Sequence, residues 1–304
     1  MVALGLAALA LSGCPHDAAL GSLTYARGTA VHRVSLADCA DRVVGQVPVT
    51  LGLNSADGRV FARVRVTPKR QTIWVTRAGR SRPVFSEPEV YRTISGESPG
   101  PIELLGVTDG WVFFAIDPGG SASIASDGLT LRAVSTTGGN AHALGPMLPY
   151  DDYLTWCGGR LVFTGGRDRI ATYAKRLLLA GPPEWKPRPL WRAPGRTFGS
   201  LACAPDGRSV AVLSQGTSTD ADFFATRWQL WRVGLDGSRT LLDRPPAGAA
   251  DESPAFSPDG RSLAFVRERK GVGTLRLLGR GAVARLGYSL GYYGHHDWRL
   301  AWHA

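Results

Sequence analysis

A repeated hairpin is the sequence feature that most limits the folds open to this chain. Residues 251–266, DESPAFSPDGRSLAFV, contain two short apolar stretches separated by SPDG at 257–260. Proline presets φ at one central turn position, aspartate can bond its own backbone, and glycine supplies positive φ. The tetrapeptide therefore predicts a tight turn, and the flanking stretches have the length and alternation of β-strands.

The same pattern occurs in four other parts of the chain. The matching segments are 53–64 (LNSADGRVFARV), 104–114 (LLGVTDGWVFF), 154–164 (LTWCGGRLVFT) and 200–213 (SLACAPDGRSVAVL). Each is followed by a second polar turn and another hairpin-like pair. Four strands in each repeat of about 40–50 residues are typical of β-propeller blades. We place these five blades at 48–90, 100–147, 152–195, 197–246 and 250–288.

The two ends of the chain predict how the ring closes. Residues 297–302, DWRLAW, match a first strand, whereas 21–27, GSLTYAR, match a second strand and 30–36 a third. One blade shared between the termini would remove the free edges that an open ring of sheets leaves. The sequence thus predicts an all-β, six-bladed β-propeller over 21–304 as a single domain, after a signal and short tether at 1–20.

The SPDGR-LAF pattern resembles the WD-like repeat of TolB-type propeller proteins, most specifically in 251–266 and 200–213. This resemblance implies an extracytoplasmic scaffold that binds a protein or peptide at the mouth of the propeller channel. We accordingly expect a non-catalytic, monomeric protein with a partner in the cell envelope and no cofactor. Because propellers host many functions, a propeller hydrolase or lyase and a purely structural propeller are the alternatives.

The N-terminal segment predicts export. Residues 2–11, VALGLAALAL, form an apolar run too short to span a bilayer as a mature helix. They lead into Leu11-Ser12-Gly13-Cys14, which resembles a bacterial lipobox, in which small residues precede a cysteine that is lipidated. We expect a lipid anchor at Cys14; a plain secretory signal, an uncleaved anchor and a cytoplasmic chain are the other interpretations.

Two of the remaining cysteines are expected to pair. Cys157 and Cys203 both end the first strand of adjacent repeats, where the innermost strands of neighbouring blades face each other. In an oxidising compartment this placement predicts a disulfide and leaves Cys39 without a partner. No CxxC pair occurs and the histidines lack matching spacing, so no metal site is predicted.

The candidate binding residues lie where the chain enters the first strand of a blade. They are Asp151, Asp152, Asp251, Glu252 and Asp297, with His295, His296, Tyr292 and Tyr293 just before the last strand. In a protein of net charge +10, an acidic rim would form a local negative patch able to hold a cation or a basic peptide. Ordinary turn chemistry of aspartate is the competing interpretation.

Charge and motifs disfavour two other functions. The 35 Lys and Arg residues are scattered, with no basic run interleaved with aromatics, so we expect a solvated basic surface and no nucleic-acid partner. Residues 96–100, GESPG, match G-x-S-x-G. Prolines at 99 and 101 follow, and a nucleophile elbow needs a helix there, so we predict a loop.

Overall fold

The computed structural model describes residues 13–47, 52–67, 69–88, 91–93, 96–98, 102–116, 128–218, 227–288 and 298–304. Within these ranges the regular structure is strand, with 3-10 turns at Ala18–Leu20 and Asp151–Tyr153 and no α-helix. No helix in the described part of the chain is long and apolar enough to cross a membrane.

Six four-stranded antiparallel sheets, the blades, make up the fold. The closing blade contains β1 (Ser22–Arg27), β2 (Ala30–Ser35) and β3 (Asp41–Gln46) together with the last strand, β26 (Ala301–His303). Blade 2 contains β4 (Gly52–Asn54), β5 (Val60–Thr67), β6 (Arg70–Arg77) and β7 (Arg80–Pro88). A separate hairpin of β8 (Tyr91–Thr93) and β9 (Gly96–Ser98) precedes blade 3.

The other four blades, like blade 2, each come from one continuous segment. Blade 3 contains β10 (Ile102–Val107), β11 (Trp111–Ile116), β12 (Leu129–Ser135) and β13 (His142–Met147). Blade 4 contains β14 (Leu154–Cys157), β15 (Arg160–Gly165), β16 (Arg176–Ala180) and β17 (Arg188–Trp191). Blade 5 contains β18 (Arg196–Cys203), β19 (Ser209–Gly216), β20 (Gln229–Gly234) and β21 (Arg239–Asp243). Blade 6 contains β22 (Ala250–Phe256), β23 (Leu263–Arg269), β24 (Val272–Leu277) and β25 (Gly281–Tyr288).

The closing blade joins the two ends of the chain, as the sequence predicts. Strand β26 pairs antiparallel with β1, with Leu23 opposite Trp302 and Thr24 opposite Ala301. The Trp302 indole Nε1 donates to the Leu20 carbonyl at 2.7 Å, which fixes the outgoing strand to the incoming one. The all-β propeller and its shared blade are therefore confirmed.

The repeated turn has the same hydrogen bonds in different blades. In blade 6, Ser257 Oγ donates to Asp259 Oδ1 at 2.6 Å and accepts from the Ser262 N–H at 2.9 Å. In blade 2, Ser55 Oγ donates to Asp57 Oδ1 at 2.7 Å and accepts from the Val60 N–H at 3.0 Å. The serine and aspartate satisfy turn groups that water would otherwise have to bond.

Apolar faces of neighbouring blades pack against each other to form the core. One cluster runs through blades 3 to 6, and another joins blade 6 to the closing blade around Leu23, Tyr25 and Trp298. The first strands are also in contact with one another, from β4 and β10 through β14, β18 and β22 to β26. These innermost strands therefore surround the centre of the molecule.

Two disulfides use all four cysteines. Cys157 and Cys203 join the ends of β14 and β18, with Cα atoms 5.4 Å apart, which confirms the predicted bond between adjacent blades. The prediction that Cys39 is unpaired is wrong, because Cys39 bonds Cys14 across 5.8 Å between Cα atoms. A sulfur in a disulfide cannot also carry a thioether lipid, so this bond and the predicted lipidation of Cys14 exclude each other.

The N-terminal segment that the sequence predicts as a tether lies against the propeller. The Gly13 N–H donates to the Ala282 carbonyl at 2.9 Å, and the Asp17 N–H donates to the Leu36 carbonyl at 3.0 Å. These bonds bring Cys14 to the turn between β2 and β3 that carries Cys39. Spacing along the sequence gave no signal for this pairing, since it depends on how the segment folds back.

Candidate functional site

Two adjoining cavities lie along the innermost strands. The first, called here the aromatic cavity, has a volume of about 760 Å³ and is bounded by β4, β10 and β14 with the turns that follow β4 and β10. Its lining residues are Leu53, Asn54, Ser55, Ala56, Asp57, Leu105, Gly106, Val107, Thr108, Asp109, Gly110, Trp111, Phe113, Asp151, Leu154, Thr155 and Trp156.

The second, called here the central cavity, has a volume of about 580 Å³. Residues of β14, β18 and β22 line it, together with Arg299 and Leu300 just before β26. Ala56, Asp151, Leu154, Thr155 and Trp156 belong to both linings. The two cavities therefore adjoin, and the start of blade 4 forms a wall that they share.

Tryptophans form one side of the aromatic cavity. Trp111 begins β11 and Trp156 lies near the end of β14, and both side chains are half-buried. The buried Trp185 ring supports both, with centroid distances of 4.5 Å to Trp111 and 6.3 Å to Trp156. Phe113 lies 5.8 Å from Trp156. Because neighbouring rings hold each other, the two half-exposed indoles are fixed in orientation.

The charged side chains that the structure describes in the lining of the aromatic cavity are all acidic. Among the described residues the lining contains Asp57, Asp109 and Asp151 and no lysine or arginine, although the protein as a whole has a net charge of +10. Arg59 pairs with Asp57 at 3.4 Å from Nε to Oδ2, and both side chains are well exposed. The cavity is accordingly a negative, aromatic site on a basic protein.

The predicted acidic rim is only partly present. Asp151 is exposed and lines both cavities, and the half-buried Asp152 lines the central one. Asp251 and Glu252, which the sequence places at the entry to the first strand of blade 6, are 0% and 1% exposed. Strand β22 already begins at Ala250, so both acids lie within the sheet rather than in front of it.

Burial dominates the electrostatics of these two acids. It raises the pKa of Asp251 to about 7, even though Arg267 Nε donates to Asp251 Oδ1 at 2.8 Å. Burial raises the pKa of Glu252 well above its ordinary value, with further contributions from Glu268, Asp152 and Asp251. The surroundings of the Glu252 carboxyl therefore favour its neutral form.

Several residues singled out in the sequence lie outside the described part of the chain. These are Tyr292, Tyr293, His295, His296 and Asp297. Within the described ranges, no group of three or more His, Cys, Asp or Glu side chains is arranged to hold a metal ion. Gly96–Ser98 of the G-x-S-x-G motif forms β9, paired with β8.

Sequence reasoning missed the tryptophans of the aromatic cavity, although the repeat alignment contained a signal. Arginine follows the turn glycine in four copies, at 59, 160, 208 and 261. The blade 3 copy has Trp111 at that position, after Asp109-Gly110. An aromatic residue that replaces a repeated arginine changes both shape and charge at one place in the ring, and it lines the cavity in the structure.

Comparison with known proteins identifies the fold. No protein-family model matches this sequence, and a search of curated proteins found no match. Among solved structures, TolB from Acinetobacter baumannii aligns at 13% identity over 93% of this chain and 66% of its own, with a TM-score of 0.51. A putative TolB from Agrobacterium tumefaciens aligns at 17% identity over 90% and 91%, with a TM-score of 0.50.

The chain has a TolB-like propeller fold. It spans just under two thirds of the Acinetobacter TolB chain and most of the Agrobacterium one. Oligogalacturonate lyase from Vibrio parahaemolyticus also aligns, at 11% identity over 85% of this chain and 71% of its own, but its TM-score of 0.49 is too low to support a conclusion. At such identities the TolB likeness describes the fold, and function must be argued from the cavities.

Proposed function

We propose that this protein is a non-catalytic binding scaffold that engages a protein or peptide of the cell envelope at the channel formed by its innermost strands. The observation that carries the proposal is the aromatic cavity, whose half-buried tryptophans lie in a concave site of about 760 Å³. Sites of this size, with rigid aromatic walls and a few polar groups, are typical of ligand recognition. The TolB-like fold agrees with an envelope binding role.

An extracytoplasmic location is part of this proposal. Both disulfides support it, since such bonds persist in oxidising compartments and are rare in the cytosol. The lipobox-like Leu11–Cys14 sequence also supports export, and the exported protein would have one of two states of Cys14. Cys14 carries a lipid and anchors the protein, or it bonds Cys39 and the protein is not anchored through this sulfur.

A propeller hydrolase or lyase is the second candidate function. Acids with raised pKa values often mark catalytic sites, and Asp251 and Glu252 have that property. A catalytic acid must also reach its substrate, and these two are sealed from solvent. We therefore favour the binding scaffold.

Site-specific photo-crosslinking in the native bacterium tests the proposal. The photoreactive residue p-benzoylphenylalanine replaces Thr155, which lines both cavities, and in the control it replaces Thr240, exposed on the outermost strand of blade 5. We expect a covalent adduct with an envelope protein from position 155 and none from position 240. Equal adducts from both positions, or none from position 155, would contradict the scaffold.

A further inference from the structure

The aromatic cavity has features that specify a type of ligand beyond its shape. Trp111 and Trp156 present half-buried indoles, and the buried Phe113 and Trp185 hold them in place. Indole faces carry negative electrostatic potential and attract cations. The aromatic wall therefore suits an apolar ligand with a positive end better than an anionic one.

The charged residues around this wall favour the same ligand. Asp109 lies exposed in the turn directly before Trp111, and Asp151 lies at the boundary with the central cavity. Arg59 is paired with Asp57 and is not among the described residues that line the cavity. The blade 3 repeat has a tryptophan where four others have arginine, and the guanidinium that contacts this turn is that of Arg77 from blade 2, whose Nη1 donates to the Asp109 carbonyl, rather than to its carboxylate, at 3.4 Å.

We propose, building on the binding role above, that the partner inserts a lysine or arginine side chain of an extended peptide segment into the aromatic cavity. The aliphatic stem would pack on Trp111 and Trp156, and the charged end would lie near Asp109 and Asp151. Charge complementarity selects this occupant: the cavity lining is negative, whereas the remaining surface of a +10 protein repels a basic peptide. The volume of about 760 Å³ accommodates the side chain and adjacent backbone.

Two labelled pentapeptides that differ only in charge test the proposal. Both have the sequence Ala-Ala-X-Ala-Ala with blocked ends, and X is arginine in one and its neutral isostere citrulline in the other. Fluorescence anisotropy with the intact, disulfide-bonded protein should show saturable binding of the arginine peptide. Its affinity should be at least about fivefold higher than that of the citrulline peptide. Binding should weaken as salt rises from 50 to 500 mM, because the attraction is between charges.

Two variants test whether the arginine peptide binds in the aromatic cavity. Asp109→Asn preserves the shape of the turn side chain and should lower the affinity for the arginine peptide by about two- to fivefold. Glu184→Gln removes one negative charge from an exposed position outside the cavity lining and should change nothing. Thermal unfolding of each variant serves to check that the fold is retained.

Other outcomes overturn the inference. Equal binding of both peptides, binding of neither, or tighter binding of a neutral oligosaccharide would show that the cavity does not select a cation. Crosslinking from Thr155 is independent of peptide charge. If the peptide experiment fails but the crosslink from Thr155 forms, only the proposal of a cationic ligand is contradicted. If the crosslink also fails, the proposed scaffold role is contradicted as well.

Discussion

Glu252 lies within β22 with 1% of its surface exposed, and its Oε1 atom accepts no hydrogen bond from the described residues. Asp251 next to it is paired with Arg267, so the two neighbours differ in how their charge is balanced. Burying a carboxylate without a partner is unfavourable, and protonation relieves this cost. The surroundings of Glu252 thus make the stability of the sheet depend on pH.

Glu252→Gln should stabilise the protein at pH 8 and have little effect at pH 4.5. The folded-state pKa is raised, so the stability contributed by Glu252 is fully present below its unfolded pKa and is lost as pH rises through the folded value. Glutamine remains neutral throughout. Urea unfolding should give a gain of about 1–3 kcal/mol at pH 8. Glu184→Gln, at an exposed site, is the control; an equal gain at both pH values would contradict this account.

Lys175 should give stability the opposite pH dependence, because its pKa is lowered by folding whereas that of Glu252 is raised. It is 1% exposed, and its Nζ donates to the carbonyls of Asp168 at 2.6 Å, Ile170 at 2.8 Å and Tyr173 at 2.8 Å. Burial lowers its pKa to about 8. Because the folded value is depressed, the contribution of this lysine to stability rises between pH 8 and its unfolded pKa.

Lys175→Met should therefore destabilise the protein, and by more at pH 10 than at pH 7.5. The variant leaves three buried carbonyls without their donor, which costs about 2–4 kcal/mol in urea unfolding. Lys186→Met, at an exposed position in the connection between β16 and β17, serves as the control. A loss that is smaller at pH 10 than at pH 7.5 would contradict this account.

At the scale of elements, the tight turn between the first two strands is the repeated unit of stability. Gly260 has φ of +72°, and an added Cβ would lie 3.4 Å from Pro205 of the neighbouring blade. The equivalent Gly58 has φ of +71° with open space around it. The same backbone conformation thus occurs with a neighbouring blade in contact and with none.

Gly260→Ala should cost about 1 kcal/mol or more in urea unfolding, because alanine is strained at positive φ. Gly58→Ala should cost about the same, since the backbone term dominates and the contact with Pro205 is of ordinary van der Waals length. Gly216→Ala, at an exposed strand end without positive φ, should be nearly neutral. A neutral effect at both turn glycines would contradict the strained-turn interpretation.

For the whole molecule, the number of free thiols distinguishes the two states of Cys14. The structure pairs every cysteine, so the protein purified without reductant should contain no thiol reactive towards iodoacetamide under denaturing, non-reducing conditions. Lipidation of Cys14 would instead leave one reactive thiol, on Cys39, and add lipid mass to the N-terminal peptide. Mass spectrometry after alkylation measures both.

The global architecture could be predicted because it depends on periodicity. Blade positions, the shared closing blade and the Cys157–Cys203 bond all follow from aligning one repeat with the next. The aromatic cavity could not be predicted in the same way, since its wall combines Trp111 with Trp156 from another blade and depends on how the rings stack. Asp251 was misplaced because the repeat fixes the order of strands but not the residue at which each one begins.

The sheet that unites the chain ends also sets the order in which the molecule can be completed. Thr24 Oγ1 and His303 Nε2, 2.8 Å apart, are separated by 279 residues in sequence. Blades 2 to 6 can form as each segment emerges from the ribosome, because their strands are contiguous. The first three strands keep an unpaired inner edge until β26 has been synthesised, so the pairing of β26 with β1 completes the closing blade.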